Sequence, residues 1–155
     1  MKIQWKKLLI CVALPLAVGG LSALLTRGSM KDFEAAAKPP LSPPGWLFPI
    51  VWTILFVLMG IASYLVLVSG EEFKSRAALK IYGIQLVFNF FWSLIFFNIK
   101  AYLFAFIWLL ILWLLIILTA RMFYKISKPA GYMLIPYILW VTFAGYLNIG
   151  IFLLN

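Results

Sequence analysis

The sequence predicts an all-α membrane protein, a bundle of five transmembrane helices forming one domain over 1–155. Three observations predict it. Apolar residues make up 66% of the chain, charged residues only 11%, and the mean hydropathy is +1.09. Soluble domains are about half apolar and a quarter charged. Five long runs contain no Lys, Arg, Asp or Glu, and the 13 basic residues fall mainly in the breaks between them. A water-soluble fold of this size leaves about a third of its surface in water, which so few charges cannot cover.

The spans are read at 8–25, 46–68, 81–97, 102–120 and 132–154. Crossing the hydrocarbon takes about 20 residues of helix. A transmembrane barrel would show segments of about ten residues with alternating polarity; these runs are longer and apolar on all sides. The first span follows Lys2, Lys6 and Lys7 and also has the outline of a cleaved signal peptide. Its length and its small-residue pairs, Ala13 with Ala17 and Gly19 with Ala23, favour a retained helix in close contact with another. Between the first two spans lies a break of about 20 residues, 26–45, long enough to suggest function. It ends in Pro39, Pro40, Pro43 and Pro44. Prolines stiffen a chain, so this stretch reads as a lid, or equally as a rigid connector. The short break at 98–101 makes the third and fourth spans antiparallel neighbours.

Several function classes drop out. Histidine is absent, Cys11 is alone, and the carboxylates are Asp32, Glu34, Glu71 and Glu72. No metal site, no cofactor, no disulfide and no acid–base hydrolase is expected. No ionisable group lies mid-span, unlike most ion-coupled transporters. The net charge of +9 reflects loop placement, not nucleic-acid binding.

What the spans do carry is aromatic: seven Trp, seven Tyr and fourteen Phe. Trp5, Trp46 and Trp108 fit anchors at headgroup depth. Trp52, Trp92 and Trp140 lie deeper. Asn89, Trp92 and Phe96 share one helical face, as do Pro136, Trp140, Ala144 and Asn148, and as do Trp52, Phe56, Met59 and Gly60. An asparagine in lipid needs a partner. That partner is either a neighbouring helix or a ligand in an aromatic-walled cavity.

At these residues the chain resembles the translocator protein family, also called the tryptophan-rich sensory protein or peripheral benzodiazepine receptor family. Three stretches carry the likeness in order: KPPLSPPGWLFPIVWTILFVLMGIASYLV, NFFWSLIFF and MLIPYILWVTFAGYLN. The resemblance implies five packed helices, a homodimer, and a ligand pocket closed by the first loop. It implies binding of porphyrins, above all protoporphyrin IX, and of isoquinoline carboxamides and benzodiazepines. Matching pocket positions are Pro43, Phe48, Trp52, Phe56, Asn89, Trp92, Phe96, Trp140 and Ala144. In some bacterial members it extends to light-driven porphyrin degradation, for which Trp52 and Trp140 are the matching residues. Porphyrin transport is the competing reading, and a structural or regulatory membrane partner is a third.

The chain departs from the family pattern in the first loop. A Trp-Tyr pair is replaced by Asp32 and Phe33, and a further Trp by Leu41. No Lys or Arg follows Tyr146, so sterol binding is not expected. Lysine-rich loops point to a bacterial plasma membrane. Nine basic residues (Lys2, Lys6, Lys7, Lys74, Arg76, Lys80, Arg121, Lys125, Lys128) stand against four (Arg27, Lys31, Lys38, Lys100). By the positive-inside rule the amino terminus is cytoplasmic and the carboxyl terminus outside. A reporter fused after Asn155 is therefore expected to be active only in its externally active form; activity of a cytoplasmic reporter there would reverse this topology.

Overall fold

In lipid every backbone polar group must be satisfied within the chain, which leaves helices as the available element here. The computed structural model describes residues 2–155, and helices are the only regular elements among them. They are α1 (Trp5–Thr26), α2 (Met30–Ala35), α3 (Leu47–Leu67), α4 (Glu72–Ser93), α5 (Tyr102–Ile126), α6 (Lys128–Met133) and α7 (Ile135–Leu154). Five helical stretches are long and apolar enough to cross a membrane.

Boundaries differ from the sequence reading where helix continues past the apolar run. The third span begins at Glu72, not near residue 81. Glu72 lies in its first turn, where a carboxylate suits the helix dipole, and Arg76 pairs with it one turn on at 3.3 Å. Gly70, at φ +84°, makes the turn before it, and Ser75 Oγ donates to the Val66 carbonyl across that turn at 2.8 Å. The fourth span runs on to Ile126. The fifth starts at Lys128 and breaks at Leu134, with Pro136 in the first turn of α7.

The break at 26–45 is less irregular than expected. A 3-10 turn (Arg27–Ser29) carries α1 into α2, leaving 36–46 without helix. At the same end α4 continues as a π-helical turn, Leu94–Ile99. Lys100, at φ +61°, stops it, and only Lys100 and Ala101 separate it from α5. Such π turns often mark functional segments.

The helices enclose a core running through Met59, Ala62 and Val66 of α3, Leu112, Ile116 and Phe123 of α5, and Tyr137, Val141 and Ile151 of α7. Leu9, Ile54, Leu114 and Leu139 are exposed among many other apolar side chains, as a lipid-facing surface requires. Of the small-residue pairs, only Gly19 enters the close contact between α1 and α3, and the backbones themselves meet elsewhere. Ala13, Ala17 and Ala23 are exposed, and Gly19 lies against the Phe56 ring. The contact is at Gly60, where an added Cβ would stand 2.5 Å from Val12 Cα and 2.8 Å from the Cys11 carbonyl. Of the proposed interface anchors, Trp5 and Trp46 are 63% and 67% exposed. Trp108 instead stacks on Phe88, with ring centroids 4.4 Å apart, and donates to the Phe88 carbonyl at 2.8 Å.

Gly60 and Gly83 provide a matched pair. In either helix Ala is favoured over Gly by about 1 kcal/mol from propensity. At Gly60 the methyl meets backbone, and overpacking costs about 1–3 kcal/mol; at Gly83 nothing lies within 4 Å. Gly60→Ala should lower the unfolding temperature in detergent while Gly83→Ala leaves it level or raises it.

Candidate functional site

The backbones of α3 and α4 each scarcely approach that of α7, whereas α5 packs against both α4 and α7. The space between α3, α4 and α7 is filled by long polar and aromatic side chains. On α4, Gln85, Asn89 and Trp92 are buried and lie one or two turns apart on one face. All three reach across to α7. Tyr137 is fully buried, donates its hydroxyl to Gln85 Oε1 at 2.6 Å, and accepts from Asn89 Nδ2 at 2.7 Å. Trp92 Nε1 donates to Asn148 Oδ1 at 3.1 Å, and Asn148 Nδ2 donates to the Tyr102 carbonyl at 2.8 Å. Both asparagines thus have helix–helix partners.

Above this polar line sits an aromatic cluster. Trp52 stacks on Phe56 at 5.5 Å and meets Tyr137 edge-on at 6.2 Å. One turn earlier on α3, Phe48 meets Trp140 of α7 at 5.7 Å. Trp52 and Trp140 are therefore joined through Phe48 and Tyr137, which lie one turn before them on α3 and α7. Trp92 stacks on Phe96 at 5.0 Å, and Phe96 meets Tyr102 at 5.1 Å. Ala144 is buried one turn from both Trp140 and Asn148. Trp140 Nε1 and Gln85 Nε2 are buried donors without a hydrogen-bond partner. A buried donor left unpaired costs about 1–3 kcal/mol.

Residues 26–46 close this end of the bundle. Phe33 of α2 contacts Phe48, Phe96 and Phe97 at 5.2–6.0 Å, and Lys38 Nζ stands 4.8 Å from the centre of the Phe33 ring. Asp32 pairs with Lys100 at 2.6 Å; that hydrogen bond raises the Lys100 ammonium above the ordinary lysine range. Tyr146 donates its hydroxyl to the Pro40 carbonyl at 2.6 Å. Asn155 brackets the Ala37 backbone, accepting from its N–H at 3.3 Å and donating to its carbonyl at 2.8 Å. The Pro39 ring rests on Gly150, 2.5 Å from where a Cβ would be. Pro43 is half-buried in this segment.

Of the nine sequence-named positions, Phe48, Trp52, Phe56, Asn89, Trp92, Phe96 and Trp140 are tied by ring contacts or hydrogen bonds to one another or to Tyr137 and Phe33, Ala144 is buried one turn from Trp140, and Pro43 lies in the segment 36–46. Sequence reasoning missed Gln85, Tyr137 and Phe33. Gln85 was within reach, one turn before Asn89 on the same face, and Tyr137 stands one turn before Trp140. Phe33 carried no periodic signal, because it lies outside the spans.

The TspO/MBR family model matches residues 11–154. The chain belongs to the TspO/MBR family. It is 40% identical to the tryptophan-rich protein TspO of Chlorobaculum tepidum over 150 residues, 96% of this chain and 95% of that protein. It is 33% identical to protein CrtK of Rhodobacter capsulatus, over 88% of this chain and 85% of that protein. Identity to the translocator protein of Bos taurus is 34%, over 87% and 82% of the two chains. With five membrane-length helices, this TspO/MBR member is a multi-pass membrane protein.

The hydroxyl of Tyr137 serves two buried amides at once. Tyr137→Phe should lower stability by about 1–3 kcal/mol, read as a fall in unfolding temperature, with far-ultraviolet circular dichroism unchanged before the transition. Removal without any fall would show that the amides find other partners.

Proposed function

We propose that this protein is a receptor-like membrane protein for tetrapyrroles of the protoporphyrin IX type, taken into the space between α3, α4 and α7 beneath residues 26–46. Isoquinoline carboxamide ligands belong to the same class of flat, largely apolar molecule. The observation that carries the reading is the unpartnered Trp140 Nε1, buried beside Phe48, with Trp52 one turn from Phe48 on α3. A ring system bearing carboxylates or ring nitrogens offers acceptors to that donor and to Gln85 Nε2, and flat faces to the indoles. Its entry requires Phe33 and Phe48 to part. Each of these rings then packs against the bound ring system in place of the other.

Any turnover in this reading is photochemical. Light-excited porphyrin takes an electron from the indole of Trp52 or Trp140 and passes it to dioxygen, giving superoxide; the indole radical then takes an electron back from the ring, so the net oxidation falls on the porphyrin. Such a reaction needs no acid–base group. The competing reading, transport of porphyrins or other amphiphiles, requires a path open at both ends in turn. The end opposite the lid is closed by the approach of α6 to α3 and by Gly131 packed on Tyr124, which favours a receptor. The reading places the protein in a bacterial plasma membrane as a homodimer, amino terminus inside. The outward Ala13, Ala17 and Ala23 of α1 suit contact with a second copy.

Trp52→Phe and Trp140→Phe separate binding from chemistry. Each keeps an apolar ring and loses the indole. Quench titration with protoporphyrin IX should show affinity lowered about two- to twelvefold, the worth of one hydrogen bond. Loss of porphyrin absorbance under illumination in air should slow much further. Wild-type bleaching with ligand bound would leave these tryptophans as walls alone, and absence of titratable quenching in the wild type would defeat the receptor reading.

A further inference from the structure

A groove of about 470 Å³ lies away from the aromatic cluster, at the opposite end of the bundle, between the end of α5 and the α6–α7 stretch. Its size falls within the range of about 300–1,000 Å³ usual for ligand sites. Its chemistry changes along its length. Ile117, Ile135 and Ile138 line the part toward the membrane middle, while Arg121, Lys125 and the ring of Tyr132 line the mouth. Gly131 fixes its shape, because α6 crosses α5 there so closely that a Cβ would stand 2.5 Å from Tyr124 Cβ and 2.7 Å from its Cα.

The two cations at the mouth have no carboxylate among the described ion pairs. Glu71 pairs with Lys74, Glu72 with Arg76, and Asp32 with Lys100. Arg121 and Lys125 are one helical turn apart and exposed, so both reach one anion from the same face. A guanidinium meets phosphate oxygens in a two-pronged hydrogen bond. A tyrosine at this depth offers a hydroxyl to a headgroup and a ring to the chains. Basic at the mouth and aliphatic inside is the complement of one molecule class, a phosphate carrying acyl chains.

We propose that this groove binds an anionic phospholipid from the surrounding leaflet, with Arg121 and Lys125 on its phosphate and an acyl chain along Ile117, Ile135 and Ile138. The site is separate from the aromatic cluster, and its occupation does not depend on the tetrapyrrole reading.

Native mass spectrometry of the detergent-solubilised protein tests it, using phosphatidylglycerol and phosphatidylcholine with identical chains. Wild type should retain phosphatidylglycerol adducts preferentially. The double substitution R121Q/K125Q should weaken phosphatidylglycerol about tenfold or more, taking each basic contact as on the order of tenfold at most, and leave phosphatidylcholine unchanged. K74Q/R76Q removes the same charge from the same end outside the groove and should keep the preference. Arg121→Lys, which keeps the charge and loses the fork, should fall between wild type and the double variant. Equal loss in both double variants would reduce the effect to net charge and overturn the proposal, as would unchanged adducts in R121Q/K125Q. Displacement of the lipid by millimolar glycerol phosphate would reassign the mouth to soluble phosphate and overturn it too.

Discussion

The structure depends on the side-chain hydrogen bonds that tie α4 to α7 where their backbones do not meet. Between helices in lipid there is no hydrophobic drive of the kind that holds soluble bundles together. Gln85, Tyr137 and Asn89 form one link and Trp92, Asn148 and the Tyr102 carbonyl another. Each joins groups that are costly to leave unpaired in a low-dielectric surround. These links are long because they run through amide and aromatic side chains. Length holds the helices apart, and the separation makes room for Trp52, Trp140 and Phe48. The same bonds that stabilise the bundle therefore also shape the space beside them.

The two ends of that space are built differently. At one end, a small residue lets backbones touch, at Gly131 on Tyr124. At the other, residues 26–46 cross the end of the bundle, held by contacts distributed along their length: Asp32 on Lys100, Pro39 on Gly150, Pro40 on Tyr146 and Ala37 on Asn155. An exposed ion pair contributes only about 0–1 kcal/mol, so the Asp32–Lys100 contact positions α2 more than it secures it. The departures from the family pattern acquire a physical role here. Asp32 supplies the ion pair and Phe33 supplies the ring that fits among Phe48, Phe96 and Phe97.

Charge is segregated along the same axis. Lys74, Arg76 and Lys80 lie on the first turns of α4, not in a loop, and Arg121 and Lys125 lie on the last turns of α5. Basic side chains on helix ends reach headgroup depth while their stems cover apolar surface. That end of the bundle thereby presents cations beside lipid-facing isoleucines, and the end crossed by residues 26–46 carries a smaller positive count.

Composition and runs free of charge were enough to determine five helices and their order, because a bilayer leaves the backbone almost no other choice. Helical spacing also determined that Asn89, Trp92 and Phe96 share a face. Spacing within one helix does not say what lies opposite. That Asn89 and Trp92 meet Tyr137 and Asn148, and that Trp140 Nε1 is left without a partner, was decided by the separation of α4 and α7 in three dimensions. The helical start at Glu72 and the short helix α2 were hidden for a related reason. Hydropathy registers contact with lipid, whereas helix continues into water wherever its polar residues find partners across a turn or against a neighbouring element.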